Sequence, residues 1–249
     1  MAKHRHVLTV GFGEDFDSLA DRLRLLKFRA VRAKLAEDGM RALERSGESI
    51  RAVLLSVPHR LGDLSFALHR LRDHAPTPSL RFVAIGPRPS PRELEELREA
   101  DVEFGLWQPF DDGALRFVLN QALHDHRSGE SRNVERVPTR LLARVFSAAG
   151  QKEALVYSLS EKGAFLETHR PTPTKGHVRV ELQLRGGTVA LEARVLTTNV
   201  PGNIQKAPLP MGMGVEFLEV PEEARRVLAD QVEAMADRFR IDKQDASQA

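Results

Sequence analysis

Residues 126–146 read HRSGESRNVERVPTRLLARVF, and the chain changes character inside this stretch. Residues 126–135 are polar and hold a Ser-Gly pair, the texture of a domain boundary. Arginine recurs at Arg132, Arg136, Arg140 and Arg144. On one helix these would form a charged stripe. Pro138 argues against that helix, because it lacks an amide donor and disfavours helical geometry at Val137. Arg132 and Arg136 are therefore expected on a loop that leads into a strand, with Leu141–Phe146 as the strand's apolar run. Two guanidiniums brought together on such a loop could grip a phosphate in bidentate fashion and stack on a base.

Working back toward the N-terminus, short apolar runs alternate with amphipathic segments. Strands are expected at Val7–Val10, Phe28–Val31, Ile50–Leu55, Leu80–Ile85 and Val102–Trp107. Helices are expected after each: through Phe16, Leu19, Leu23 and Leu26, then Lys34–Glu44, Leu64–Leu71, Pro91–Ala100 and Ala114–His124, the last capped by Asp111. Five strands alternating with five helices imply a mostly parallel sheet covered on both faces. Working forward, strand-like runs dominate: Ala154–Leu159, Ala164–Glu167, His177–Leu184, Val189–Thr197 and Gly214–Leu218. Val178, Val180, Leu182 and Leu184 alternate with polar residues, as in a half-buried antiparallel strand. Turns fall at Gly150, Gly163, Gly186-Gly187 and Pro201-Gly202. Pro221-Glu222-Glu223 opens a final helix to about Phe239, where the acidic pair favours the helix dipole. A small β-barrel with a C-terminal helix is the expected architecture.

The 249 residues suffice for two ordinary domains. With no cysteine, disulfides and thiolate chemistry are excluded and a reducing cytoplasm is the expected setting. The apolar run after MAKHRH is too short for a signal peptide, and no stretch reaches the roughly 20 residues needed to span a bilayer. Basic and acidic side chains number 37 and 35, which does not suggest a general polyanion binder. One tryptophan and one tyrosine offer little for stacking on single-stranded nucleic acid.

VLTV followed by EDF, RAVLLSVP, and LWQPFDDGAL resemble the first strand, the phosphoacceptor strand and the fifth strand of bacterial receiver domains. The resemblance runs over about residues 5–124 and implies a flavodoxin-like fold. Receiver phosphorylation needs carboxylates for Mg²⁺, an aspartate nucleophile, a hydroxyl and a lysine. The positions that match are Gly11 and Phe12, Ser56, Gly86 and Gln108, so every part of the chemistry is absent at once. Glu14 and Asp15 follow nearby without a nucleophile to serve. A pseudo-receiver is expected to act as a docking or dimerisation surface, over about Pro91–His124. Gly11-Phe12-Gly13 also follows a strand, as in a dinucleotide fingerprint. Phe16 occupies the place of the third glycine, and Glu14 and Asp15 would repel a pyrophosphate.

RNVERVPTRLLARV, then SLSEKGAFLET, then GMGVEFLEVPEEARRVL resemble, in order and spacing, the motifs of the PilZ family, a bacterial sensor domain for cyclic di-GMP. The family pattern is an RxxxR loop followed by (D/N)xSxxG on a six-stranded barrel. The resemblance covers about residues 130–239. It implies that Arg132 and Arg136 bind phosphate and stack on guanine, that Ser160 contacts nucleotide, and that Gly163 allows close backbone approach. Ser158 stands where the family has Asp or Asn, and its hydroxyl offers neither the charge nor the second acceptor oxygen.

The expected organisation is a pseudo-receiver at 1–126, a linker with the start of the RxxxR loop at 127–135, a PilZ domain at 136–240 and a disordered tail at 241–249. The expected function is that of a non-enzymatic cyclic di-GMP effector, with a nucleotide-independent adaptor in motility or polarity as the alternative. No cofactor and no DNA partner are expected, since the C-terminal half lacks a helix-turn-helix. A protein partner is expected at the receiver-like domain, and homodimerisation through that face or the last helix stays open. His4 with His6, and His124 with His126, form two HxH pairs that read as solvated ends before they read as metal ligands. Met211 and Met213 are expected in the core.

Overall fold

The computed structural model describes residues 6–11, 14–46, 49–57, 61–75, 80–124, 135–202, 204 and 208–241. Two compact units emerge, one of Met1–Asp125 with Arg238–Ala249 and one of His126–Asp237.

The first unit is a parallel sheet in the order β2-β1-β3-β4-β5. Its strands are β1 (His6–Val10), β2 (Arg29–Ala33), β3 (Ile50–Ser56), β4 (Arg81–Gly86) and β5 (Phe104–Trp107). The helices are α1 (Glu14–Leu25), α2 (Ala36–Ser46), α3 (Leu61–Asp73), α4 (Pro91–Glu99) and α5 (Asp112–Ala122). Parallel strands need crossover connections, and these place helices on the faces of the sheet. That is why β3 and β4 are apolar almost throughout, with Val53, Leu54, Phe82 and Val83 fully buried. Local signals set the helix starts. Ser90 and Glu93 form a reciprocal capping box on either side of Pro91, and the Asp111 side chain accepts from the Ala114 N–H at 2.8 Å. The strand order is that of doubly wound flavodoxin-like sheets, whose ligands sit beyond the carboxyl ends of the strands at the switch point between β1 and β3.

The second unit is a closed barrel in the order β10-β11-β8-β7-β6-β9. Its strands are β6 (Val137–Ser147), β7 (Gly150–Ser160), β8 (Gly163–Glu167), β9 (His177–Leu184), β10 (Gly187–Asn199) and β11 (Gly212–Phe217). All the pairings are antiparallel, and closure leaves no open sheet edge. Alternate residues fill the interior, among them Val145, Val156, Leu166, Val180, Ala193 and Val215. Helix α6 (Glu222–Ala236) adds Leu228, Val232 and Ala236 to that core and packs on β6 and β7. Met213 is in the core as expected, whereas Met211 is only half-buried.

Three boundaries differ from the sequence reading. β6 starts at Val137 and so includes Pro138, which an irregularity in the β6–β7 register between Pro138 and Leu141 accommodates. β7 runs on to Ser160, so that both motif serines lie in a strand. The last helix ends at Ala236, short of Phe239, and residues 237–239 form a turn that leads to Arg240. Arg240 bridges Phe104 antiparallel to β5, and Ile241, expected in the tail, is 1% exposed in the first unit's core.

Candidate functional site

At the carboxyl ends of β1, β3, β4 and β5 the receiver-like positions are knitted together by backbone. The Gly11 N–H donates to the Ala33 carbonyl at 3.1 Å, and the Val57 N–H to the Ile85 carbonyl at 2.7 Å. The Gln108 N–H donates to the Gly86 carbonyl at 2.8 Å, ahead of a cis Gln108–Pro109 peptide. Ser56 is half-buried at the end of β3. A β-carbon on Gly86 would overlap the Val57 carbonyl oxygen. The space a phosphate-sensing hydroxyl would need is thus taken by the loop after β3. Phe12, His4 and His126 lie outside the described residues, and among those described no cluster of metal-ligating side chains forms. His6 is held by Ser49 at 3.2 Å.

The barrel presents a different set of residues. Ser158 pairs directly with Phe165 across the β7–β8 ladder, and Ser160 with Gly163. Residues directly opposite in an antiparallel pair project to the same face. Ala164 and Leu166 point into the core, so Phe165 and with it Ser158 and Ser160 face outward. On the other side of β7, Val137 pairs with Leu159, both in the core. Arg136 is the next residue out, so continuing the register sets it across from Ser160 on the same outer face. The structure therefore brings Arg136, Ser158, Ser160 and Gly163 to one corner of the barrel, where β6 begins and the β7–β8 hairpin turns. Arg132 lies outside the described residues.

Several of these positions also have structural duties. The Ser160 hydroxyl donates to the Gly163 carbonyl at 3.0 Å and so ties the hairpin turn. Gly163 is required by strand β11, since a β-carbon there would overlap the Val215 carbonyl. Its close backbone approach is thus made within the barrel. Gly163→Ala should therefore cost about 1–3 kcal/mol of barrel stability, as overpacking does. Urea unfolding without nucleotide checks this, and an unchanged midpoint would mean that β11 yields. Ser158 is only 3% exposed, between Pro138 and Phe165 in the register.

Two aromatic residues beside the serines escaped the sequence reading. Tyr157 and Phe165 meet edge to face, with ring centroids 5.8 Å apart. Both are buried, yet neither belongs to the barrel's apolar core. Gly214, which pairs with Phe165, is crowded by a different neighbour, since a β-carbon there would lie 2.7 Å from the Thr197 hydroxyl. The continuous apolar run Gly163-Ala164-Phe165-Leu166 hides the alternation that would have marked Phe165 as outward. Arg140 and Arg144, which complete the arginine series, are exposed on β6, and Arg144 pairs with Glu181 at 3.1 Å.

The PilZ domain family model matches residues 130–234. Among solved structures, similarity is found to the PilZ domain of YcgR from Escherichia coli with c-di-GMP, at 17% identity and TM-score 0.36, over 43% of this chain and 93% of that one. Similarity is also found to a signal receiver domain of an HD domain-containing protein from Pseudomonas fluorescens, at 22% identity and TM-score 0.44, over 53% and 96%. The chemotaxis protein CheY4 of Vibrio cholerae matches at 13% identity and TM-score 0.43, over 48% and 98%. No curated protein matches the chain. No helix among the described residues is long and apolar enough to cross a membrane.

Proposed function

From a chain that joins a receiver-like domain to a PilZ domain at residues 130–234, we propose a cyclic di-GMP effector in the bacterial cytoplasm. PilZ and receiver-like domains are signalling domains, and the chain is not an enzyme. The observation that carries the reading is the register at the barrel corner, where Ser158 pairs with Pro138 and Phe165, Ser160 pairs with Gly163, and Arg136 directly precedes the Val137–Leu159 pair. Cyclic di-GMP offers two phosphodiesters and two guanines. A guanidinium matches a phosphodiester with paired donors and a guanine with its flat face. Arg132, four residues before Arg136, supplies the second guanidinium, and the hydroxyls of Ser158 and Ser160 the polar contacts. The receiver-like domain, without its phosphorylation residues, serves as a protein docking module through α4, β5 and α5.

Ser158 weakens the pocket. Replacing a charged hydrogen-bonding partner with a neutral one forfeits roughly 1.5–3 kcal/mol, about tenfold to a hundredfold in affinity. Two observations favour a second reading, a nucleotide-independent adaptor in motility or polarity. Ser158 is buried, and the Ser160 hydroxyl is already engaged by the Gly163 carbonyl.

Calorimetric titration with cyclic di-GMP at physiological salt, with Ser158→Asp beside the wild type, separates the two. Saturable binding by the wild type at micromolar affinity or tighter is the expected result. Ser158→Asp should bind about tenfold to a hundredfold more tightly. It should also melt lower without nucleotide, because a carboxylate set between Pro138 and Phe165 is desolvated. Silence from both chains would overturn the effector reading and leave the adaptor.

A further inference from the structure

Strand β5 is an edge strand of the first unit's sheet, and the chain covers that edge with its own end. The Gly105 N–H donates to the Phe239 carbonyl at 2.9 Å, and the Ile241 N–H donates to the Glu103 carbonyl at 3.1 Å. Between these bonds Phe104 and Arg240 face each other as an antiparallel bridge. Ile241 is buried in the same core as Leu80, Phe82, Leu97 and Val102. Just before this segment, Ala236 ends α6 inside the core of the barrel. Residues 237–240 are thus all that separates an anchor in one core from an anchor in the other.

We infer that residues 238–241 are a releasable strap that closes the β5 edge and reports the position of α6 to it. The attachment is local. Two backbone bonds, the buried Ile241 side chain and the interactions of Arg240 must offset the entropy of ordering the whole segment. Such a strand opens at far lower cost than β3 or β4 in the middle of the sheet. The lever on it is α6, which packs on β6 and β7, the two strands that carry Arg136, Ser158 and Ser160. A ligand that shifts β6 against β7 at that corner shifts the seat of α6, and the strap is the next stretch of chain. Release bares the Gly105 N–H and the Glu103 carbonyl, the backbone groups through which an extended partner segment adds to a sheet edge. The strap itself rests on the bonds and burial above. Its control by nucleotide rests on the effector reading.

Hydrogen exchange by mass spectrometry on the full chain tests both parts, with Ile241→Ala and Ile241→Asp beside the wild type. In the wild type the amides of Gly105 and Ile241 should be protected together. Ile241→Asp should raise exchange at Gly105 at least tenfold and Ile241→Ala by less, with the β3 amides Val53 and Leu54 unchanged. Should Ile241→Asp also expose β3, the milder variant decides. Unprotected Gly105 in the wild type, or unchanged exchange at Gly105 in Ile241→Ala and Ile241→Asp, overturns the strap. Saturating cyclic di-GMP should alter protection at Gly105 and Ile241 in parallel. Calorimetric binding with no change at those amides overturns the coupling and leaves the effector reading standing. Absence of binding, with Gly105 still sensitive to Ile241, ends the effector reading and the coupling and leaves the strap.

Discussion

Gly86→Thr should destabilise the receiver-like domain by about 3 kcal/mol or more, and a chain carrying Ser56→Asp, Gly86→Thr and Gln108→Lys together should stay unmodified by small phosphodonors. The reason lies in the backbone at the carboxyl ends of three strands. A β-carbon at 86 falls on the Val57 carbonyl oxygen, and threonine adds a methyl and a hydroxyl beyond it. Val57 cannot retreat freely, since its N–H is bonded to the Ile85 carbonyl, nor can β4 shift alone, since Gly86 accepts from Gln108. Overpacking of this kind costs about 1–3 kcal/mol and occasionally more, and breaking the Val57–Ile85 bond adds about 1 kcal/mol. The expected fall in melting temperature is on the order of 10 °C. Trp107, the one tryptophan of the chain, lies in β5 beside this site, so its fluorescence follows this domain's unfolding. A melt within about 1 kcal/mol of wild type would show that the loop after β3 gives way, and that the pocket is closed by residue identity alone.

The same position shows what the sequence could and could not reveal. That Gly86 lacks the hydroxyl was readable; that the fold now fills the hydroxyl's place with Val57 was not, because it depends on where a loop returns. The five β/α units were readable from apolar runs of strand length between amphipathic helices. The barrel strands were readable from alternation in Val178–Leu184 and from the glycine and proline turns. The register at the barrel corner was hidden. Irregularities in pairing between Pro138 and Leu141, and between Val156 and Ser158, shift which residues face out. A slip of one residue would turn each serine inward, and spacing in a motif cannot exclude it. The strap was hidden for a simpler reason. Phe239-Arg240-Ile241 continues a helical pattern and then meets a polar end, so nothing local announces a return to β5. Only the long-range pairing with Phe104 distinguishes it from a fraying helix.

Arg136→Ala should lower cyclic di-GMP affinity by about tenfold to a hundredfold, or more where stacking on guanine is lost with the charge. A charge-assisted bond to phosphate is worth roughly 1.5–3 kcal/mol, and every 1.4 kcal/mol is tenfold in affinity. Calorimetry should be run in whichever background titrates, wild type or Ser158→Asp, so that weak parent binding does not mask the loss. Arg136→Lys is the informative companion. It keeps the charge but loses the planar fork and the stacking face, so its affinity should fall between those of alanine and arginine. Equal losses in both would place the whole effect in the fork. No loss in lysine would reduce Arg136 to a point charge, and binding should then weaken steeply with salt. Arg136 precedes β6 and is half-buried, so the melting of the nucleotide-free variant must be followed alongside. A melt close to wild type with affinity reduced assigns the residue to the ligand. Unchanged affinity removes Arg136 from the site, and with it the register argument on which the effector reading rests.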